Sequence, residues 1–165
     1  MNHIWLIGMM GTGKTTVGQR LAMALRLPFI DVDEQIVSQT GKEIGELFDE
    51  GEGAFRRLEA SLVRTIADGP TSVVATGGGA VLDPTNVAAM TATGTTVLLT
   101  ATPDVLMDRL ADATPDRPLL RGEDDIERIA IAREATYRAV ADIIVDTASR
   151  DVDEVSKEVI ECVGM

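Results

Sequence analysis

Residues 8–15 read GMMGTGKT, the spacing G-x-x-x-x-G-K-[ST], set between an apolar run and a stretch of helical period. Glycines in these places let backbone N–H groups turn inward around a phosphate, and the start of the following helix adds a favourable dipole. Lys14 can then reach the β- and γ-phosphates of a nucleotide, and the Thr15 hydroxyl can ligate Mg²⁺. The loop predicts binding of a nucleoside triphosphate. A GTPase would add an N-K-x-D base reader and a D-x-x-G switch, and the sequence contains neither. A mechanical ATPase would ordinarily need a larger chain, with partner interfaces, than 165 residues supply.

Carboxylates and arginines elsewhere narrow the chemistry. FIDVDEQI (29–36) ends a strand signature in Asp31 and Asp33. If the strand persists, side chains two apart point the same way, here at the carboxyl edge where open α/β sheets bind ligands. One could serve a metal shell while the other accepts a proton from, or orients, an attacking hydroxyl. The competing reading is that Asp33 caps the next helix, being followed by Glu34 and Gln35. In DDIERIAIAREATYRAVAD (124–142), Ile126, Ile129, Ala130, Tyr137 and Val140 form an apolar stripe. Arg133 falls inside that stripe, whereas Arg128 and Arg138 point elsewhere. An inward arginine needs an anion, either a structural carboxylate or an anionic substrate.

FRRLE (55–59) sets Arg56 one turn before Glu59, a spacing that can hold a guanidinium in place, with Arg57 turned to solvent. Such a planar fork suits a carboxylate better than a lysine does. The run Gly77-Gly78-Gly79 lets the backbone come close to a small molecule. DRPLLRG (116–122) offers Arg117, a candidate lid arginine able to reach over a transferring phosphate.

These groups need a scaffold, and the apolar pattern supplies one. Strand-length runs at 4–8, 28–32, 71–76, 95–100 and 142–146 alternate with stretches of helical period. Helices are expected from the loop at 14 onward, over about 34–67 with breaks near 40–41 and 51–53, from 84, from 103, over about 125–140 and over about 152–162. Five short, β-branched strands alternating with helices predict an α/β fold, a parallel sheet covered on both faces. Residues 112–125 are polar and rich in Pro, Gly and charge, the one candidate for a long functional loop. No linker or internal repeat interrupts the chain, so 1–165 is expected to form a single domain.

Composition sets the outer bounds. Hydrophobic residues reach 45% with only 3% aromatic, so the core is expected to be built of Val, Ile, Leu, Ala and Met, with the seven Met as filler. Fifteen basic against 27 acidic residues give a net charge of −12, which argues against a nucleic-acid or anionic-membrane partner. Any anionic ligand must then be held by local cations. The lone Cys162 excludes an intrachain disulfide and fits a reducing cytoplasm. His3, also alone, is expected to carry no chemistry. No segment reaches the ~18 apolar residues of a membrane span, and no surface advertises a dimer face, so a cytoplasmic monomer is expected.

Taken in order, GMMGTGKTTVG, DVD, FRRLE, GGGAV, RPLL and REATY resemble the shikimate kinase family, in register over essentially the whole chain. The resemblance implies a three-layer P-loop fold of the nucleoside-monophosphate-kinase type, its five parallel strands in the order 2-3-1-4-5, with a mobile lid at about 112–124 and a substrate-binding helical region at about 33–61. It implies transfer of the γ-phosphoryl of ATP to the 3-hydroxyl of shikimate, with Mg²⁺. Gly11, Thr12, Gly13, Lys14, Thr15 and Thr16 would then cradle the phosphates, with Thr15 on the metal and Asp31 near it through water. Asp33 would hold the shikimate hydroxyls and act as base. Arg56 and Arg133 would clamp the shikimate carboxylate beside Gly78 and Gly79, Arg117 would close from the lid, and Arg109 and Arg150 would flank the adenine. Two departures stand beside the resemblance: the stretch between Arg109 and Arg117 is about one residue longer than usual, and TASRDVDE (147–154) lacks a proline often found near the adenine. A kinase of another hydroxy acid such as gluconate, or an inactive ATP-binding relative, is the alternative.

Overall fold

The computed structural model describes residues 2–111 and 123–164. Five strands, β1 (His3–Ile7), β2 (Phe29–Asp31), β3 (Val73–Ala75), β4 (Gly94–Thr100) and β5 (Ile143–Asp146), form one sheet in the order β2-β3-β1-β4-β5. Every pairing is parallel, with Leu6 opposite Ala75 on one side and Val97 on the other. The helices are α1 (Lys14–Leu25), α2 (Val32–Thr40), α3 (Ile44–Glu50), α4 (Glu52–Ala67), α5 (Pro84–Thr93), α6 (Pro103–Ala111), α7 (Glu123–Val140) and α8 (Val152–Val163). A short 3₁₀ turn covers Ala80–Leu82. Expected and observed elements agree in kind and order, and their ends differ by one or two residues.

β1 shows why the sheet is sandwiched. All five of its residues are buried, and residues 4–7 alternate between two cores. Ile4 and Leu6 join Val17 and Leu21 of α1 and Val155 and Val159 of α8. Trp5 and Ile7 join Val32 and Ile36 of α2, Phe55, Val63 and Ile66 of α4, Met90 of α5 and Tyr137 of α7. A strand buried on both faces cannot alternate apolar with polar residues, which is why it reads as a continuous apolar run. Methionine serves as filler in part: Met9 and Met90 are buried, but Met23 is exposed.

At the amino ends of the strands, buried His3 pairs with Ser72, its Nδ1 3.0 Å from the hydroxyl, and takes no part in the site described below. Cys162 is an exposed free thiol. No described helix is long and apolar enough to cross a membrane.

Candidate active site

The carboxyl edge of the sheet opens into a cavity of about 570 Å³. Its first wall is the loop between β1 and α1. Gly11 and Gly13 take left-handed φ values of 82° and 90°, which is why the motif needs glycine there. α1 then begins at Lys14 with neither a side-chain cap nor an acid in its first turn. Its first N–H groups and the positive end of its dipole are left to serve an anion. By contrast α2, α5 and α8 each start with an aspartate that takes up their N–H groups. The Lys14 ammonium donates to the carbonyls of Gly8 and Met9, each at 2.8 Å, and the buried Thr12 hydroxyl donates to Met9 at 2.8 Å.

The two aspartates arrive by a different route from the one their spacing predicts. β2 ends at Asp31, so they do not project from one strand. Asp31 caps α2 instead, its Oδ1 accepting from the backbone N–H of Asp33 at 3.0 Å and Glu34 at 3.3 Å. Helix N–H groups need an acceptor, and a carboxylate at this point converts strand to helix within one residue. Its other oxygen accepts from the Thr15 hydroxyl at 2.7 Å, tying the cap to the phosphate loop. Asp33 therefore sits in the first turn of α2 and is not the cap. Both carboxylates still line the cavity, beside Lys14 and Thr15.

Facing them is a cationic wall. Arg56 Nη1 lies 2.8 Å from Oε2 of Glu59, and Nη2 lies 3.3 Å from Glu52. The guanidinium also rests near two rings, 5.5 Å from the centre of Phe48 and 5.3 Å from that of Phe55. Glu59 is fully buried; burial pushes its carboxyl above the usual range, Arg56 opposes, and Asp33 adds a smaller push upward. Arg133, inward on α7 as its place in the stripe predicts, lines the same cavity. Its Nη1 is buried and has no hydrogen-bond partner among the described residues, and neither has Oε1 of Glu59.

The triple glycine follows β3 between these groups. A Cβ on Gly77 would stand 2.6 Å from Glu59 Oε1 and 3.0 Å from Asp33 Oδ1. One on Gly79 would stand 2.2 Å from Arg56 Nη2, so that guanidinium occupies space that only glycine leaves.

The shikimate kinase family model matches residues 10–164. The chain belongs to the shikimate kinase family. A curated shikimate kinase of Caldanaerobacter subterraneus subsp. tengcongensis is 41% identical over 164 residues, spanning 97% of this chain and 95% of that protein. The solved shikimate kinase of Acinetobacter baumannii, in complex with shikimate, superposes with a TM-score of 0.93 at 31% identity, covering 98% of this chain and 92% of its own. That of Bacteroides thetaiotaomicron gives 0.89 at 36% identity, covering 99% of each.

The residues expected at the adenine gather elsewhere along the edge. A second cavity of about 220 Å³ is lined by Thr16, Arg109, Thr147 and Arg150 among others. Arg109 bridges it to the first: Nη1 donates to the Gly11 carbonyl at 3.2 Å and the Thr147 hydroxyl at 2.9 Å, while Nη2 donates to the Thr147 carbonyl at 2.7 Å. Arg150 is held by Glu158 at 2.5 Å and by the Asp146 carbonyl at 3.1 Å. Arg117 and the expected lid over about 112–124, all but its last two residues, lie outside the described residues.

Thr15 and Asp31 suit a hard cation, since a hydroxyl and a carboxylate oxygen meet beside the phosphate loop. Mg²⁺ commonly takes one or two such protein ligands and completes its shell with water and phosphate. Among the described residues no group of three or more His, Cys, Asp or Glu could hold a metal ion.

Sequence reasoning missed several members of the site. Met10, Ile44, Phe48 and Phe55 give the cavity an apolar wall, and Thr76 joins them at the end of β3. Phe48 and Phe55 have ring centres 4.6 Å apart. Only the rarity of aromatics in this chain could have flagged that pair. Glu59 read as a partner for Arg56, which it is, but its full burial and its approach to Gly77 depend on where β3 ends.

Proposed function

We propose that this protein transfers the γ-phosphoryl group of ATP to the 3-hydroxyl of shikimate, giving ADP and shikimate 3-phosphate, a step toward chorismate and the aromatic amino acids. The observation that carries it is one cavity, in a chain of this family, with a phosphate loop on one wall and two inward arginines on the other. A molecule with hydroxyls at one end and a carboxylate at the other fits between them.

The loop 11–16 and Lys14 hold the β- and γ-phosphates, so Lys14 exchanges its carbonyl partners for phosphate oxygens. Arg56 and Arg133 take the shikimate carboxylate, and Gly78 and Gly79 lie along its ring. That leaves the hydroxyl end toward Asp33. Asp33 accepts the proton of the 3-hydroxyl as its oxygen bonds to the γ-phosphorus, and the bond from phosphorus to the β,γ-bridging oxygen breaks to release ADP. Thr15 would hold Mg²⁺ directly and Asp31 would hold it through water, and the ion would supply charge neutralisation at the phosphates. Arg117 closes over the phosphates from the lid at about 112–124, the region of about 33–61 within helices α2–α4 forms the acceptor arm, and Arg109 and Arg150 flank the adenine. Positioning and charge neutralisation account for the rate.

The protein is read as a single domain and a cytoplasmic monomer, without nucleic-acid or membrane partners. The acidic surface and the lone cysteine support that reading. A gluconate kinase could use the same loop and clamp, and membership of the family favours shikimate.

Phosphorus NMR of a reaction with MgATP and shikimate tests the proposal. The expected result is one new phosphomonoester, coupled to the proton on carbon 3 and equimolar with ADP. ADP without a phosphorylated acceptor, or phosphate on another hydroxyl, would contradict it.

A further inference from the structure

Tyr137 contributes neither charge nor a proton to this transfer, yet it joins the two sides of the acceptor site. It lies on α7 one turn after Arg133, so the two side chains share a helix face. Its ring is buried in the core, 3% exposed. Its hydroxyl donates to the carbonyl of Gly78, in the middle of the triple glycine. The Arg133 guanidinium stands near the same hydroxyl, and its charge bears on the phenol. A phenol has one proton to give and lone pairs to accept with, so it can serve a guanidinium and a carbonyl at once. The phenol thus stands between a cation one helical turn away and a backbone carbonyl on a loop 59 residues away in sequence, bonded to the second and adjacent to the first. Burial pushes the Tyr137 phenol above its usual range, Arg133 opposing, so it stays a donor through neutral pH.

We infer that Tyr137 is a positioning residue that fixes the Arg133 guanidinium and the Gly78 backbone in one relation, so that the acceptor's carboxylate and ring are gripped together. This rests on Arg133 as a carboxylate clamp. Arg133 reaches the cavity from a long side chain on a helix, and its Nη1 finds no hydrogen-bond partner among the described residues. Without a fixed point such a side chain samples several rotamers, and the cost of ordering it falls on binding. The Tyr137 hydroxyl removes that freedom beforehand. It also gives the Gly78 carbonyl its donor, so the glycine loop and α7 stay in step.

Tyr137→Phe keeps the ring and deletes only the hydroxyl, so the core remains filled. Steady-state kinetics should show the shikimate KM raised about tenfold, the scale of a lost polar contact at a charged group. The ATP KM should stay unchanged, and kcat should remain within about threefold because no group touching the reacting atoms is lost. In an Arg133→Ala background, Tyr137→Phe should raise the shikimate KM less than about twofold further, since residues acting through one another are not additive. An unchanged shikimate KM in Tyr137→Phe, with Arg133→Ala still raising it, would overturn the inference and leave the clamp standing. Equal fold-changes in both backgrounds, or a loss of kcat and melting temperature affecting both substrates alike, would reduce Tyr137 to a packing residue. If Arg133→Ala itself leaves the shikimate KM unchanged, the clamp falls and this inference falls with it.

Discussion

The two walls of the cavity are built on opposite plans. The phosphate wall is one continuous stretch, residues 8–16, and it satisfies itself: Lys14 and Thr12 donate to carbonyls of their own loop. The acceptor wall is assembled from α2, α4, the triple glycine and α7, and it leaves polar atoms buried without partners among the described residues, Oε1 of Glu59 and Nη1 of Arg133. Each such atom costs about 1–3 kcal/mol if nothing meets it. A wall with that deficit is built for a polar guest, whereas the loop is stable in waiting. The overall charge of −12 sharpens the contrast, because the inward arginines must attract an anion against the surrounding field.

That contrast can be broken from either side. Lys14→Met strikes the phosphate wall, and turnover should fall by more than about a thousandfold together with nucleotide affinity, since the transition-state charge loses its main protein cation. Nucleotide titration beside the kinetic assay checks both. Asp33→Asn strikes the chemistry between the walls: ATP binding should be retained while kcat falls about a hundredfold or more, the range of a lost general base. Activity within about threefold of the parent would remove Asp33 as base or essential orienter.

Arg133→Ala touches the acceptor wall alone. The shikimate KM should rise about thirtyfold with a much smaller change in kcat, the pattern of a lost ground-state contact. Gly79→Ala should act in the same direction but less strongly, about tenfold in shikimate KM, because its methyl would displace the Arg56 guanidinium from 2.2 Å without deleting it. The smallest effect should come from Gly41→Ala at the end of α2, where φ is 68° and nothing lies within 4 Å of the added methyl. Strain of about 1 kcal/mol should lower the melting temperature slightly and leave both KM values alone. A KM change there would mean that the acceptor arm senses backbone strain well away from the site.

The same contrast explains what could be read from the sequence. The phosphate loop was legible because its chemistry depends on backbone within eight consecutive residues. The central strands were legible because burial on both faces leaves continuous apolar runs, and Arg133 because helical period places it in an apolar stripe. Less was legible where one side chain redirects the chain. Asp31 takes two N–H groups and ends β2 at once, so the shared strand face inferred for Asp31 and Asp33 does not exist, although both reach the cavity. Nor does spacing reveal that Gly77 stands against both Asp33 and Glu59, or that Arg109 binds the phosphate loop to Thr147. Those relations join segments tens of residues apart and exist only once the sheet order is fixed.

The most direct test of a phosphate wall facing a carboxylate clamp is acceptor-dependent release of ADP. A coupled assay with MgATP would be run with shikimate, with gluconate and with no acceptor. Turnover with shikimate alone is the predicted result. Turnover with gluconate instead, or ADP release that ignores the acceptor, would contradict the account.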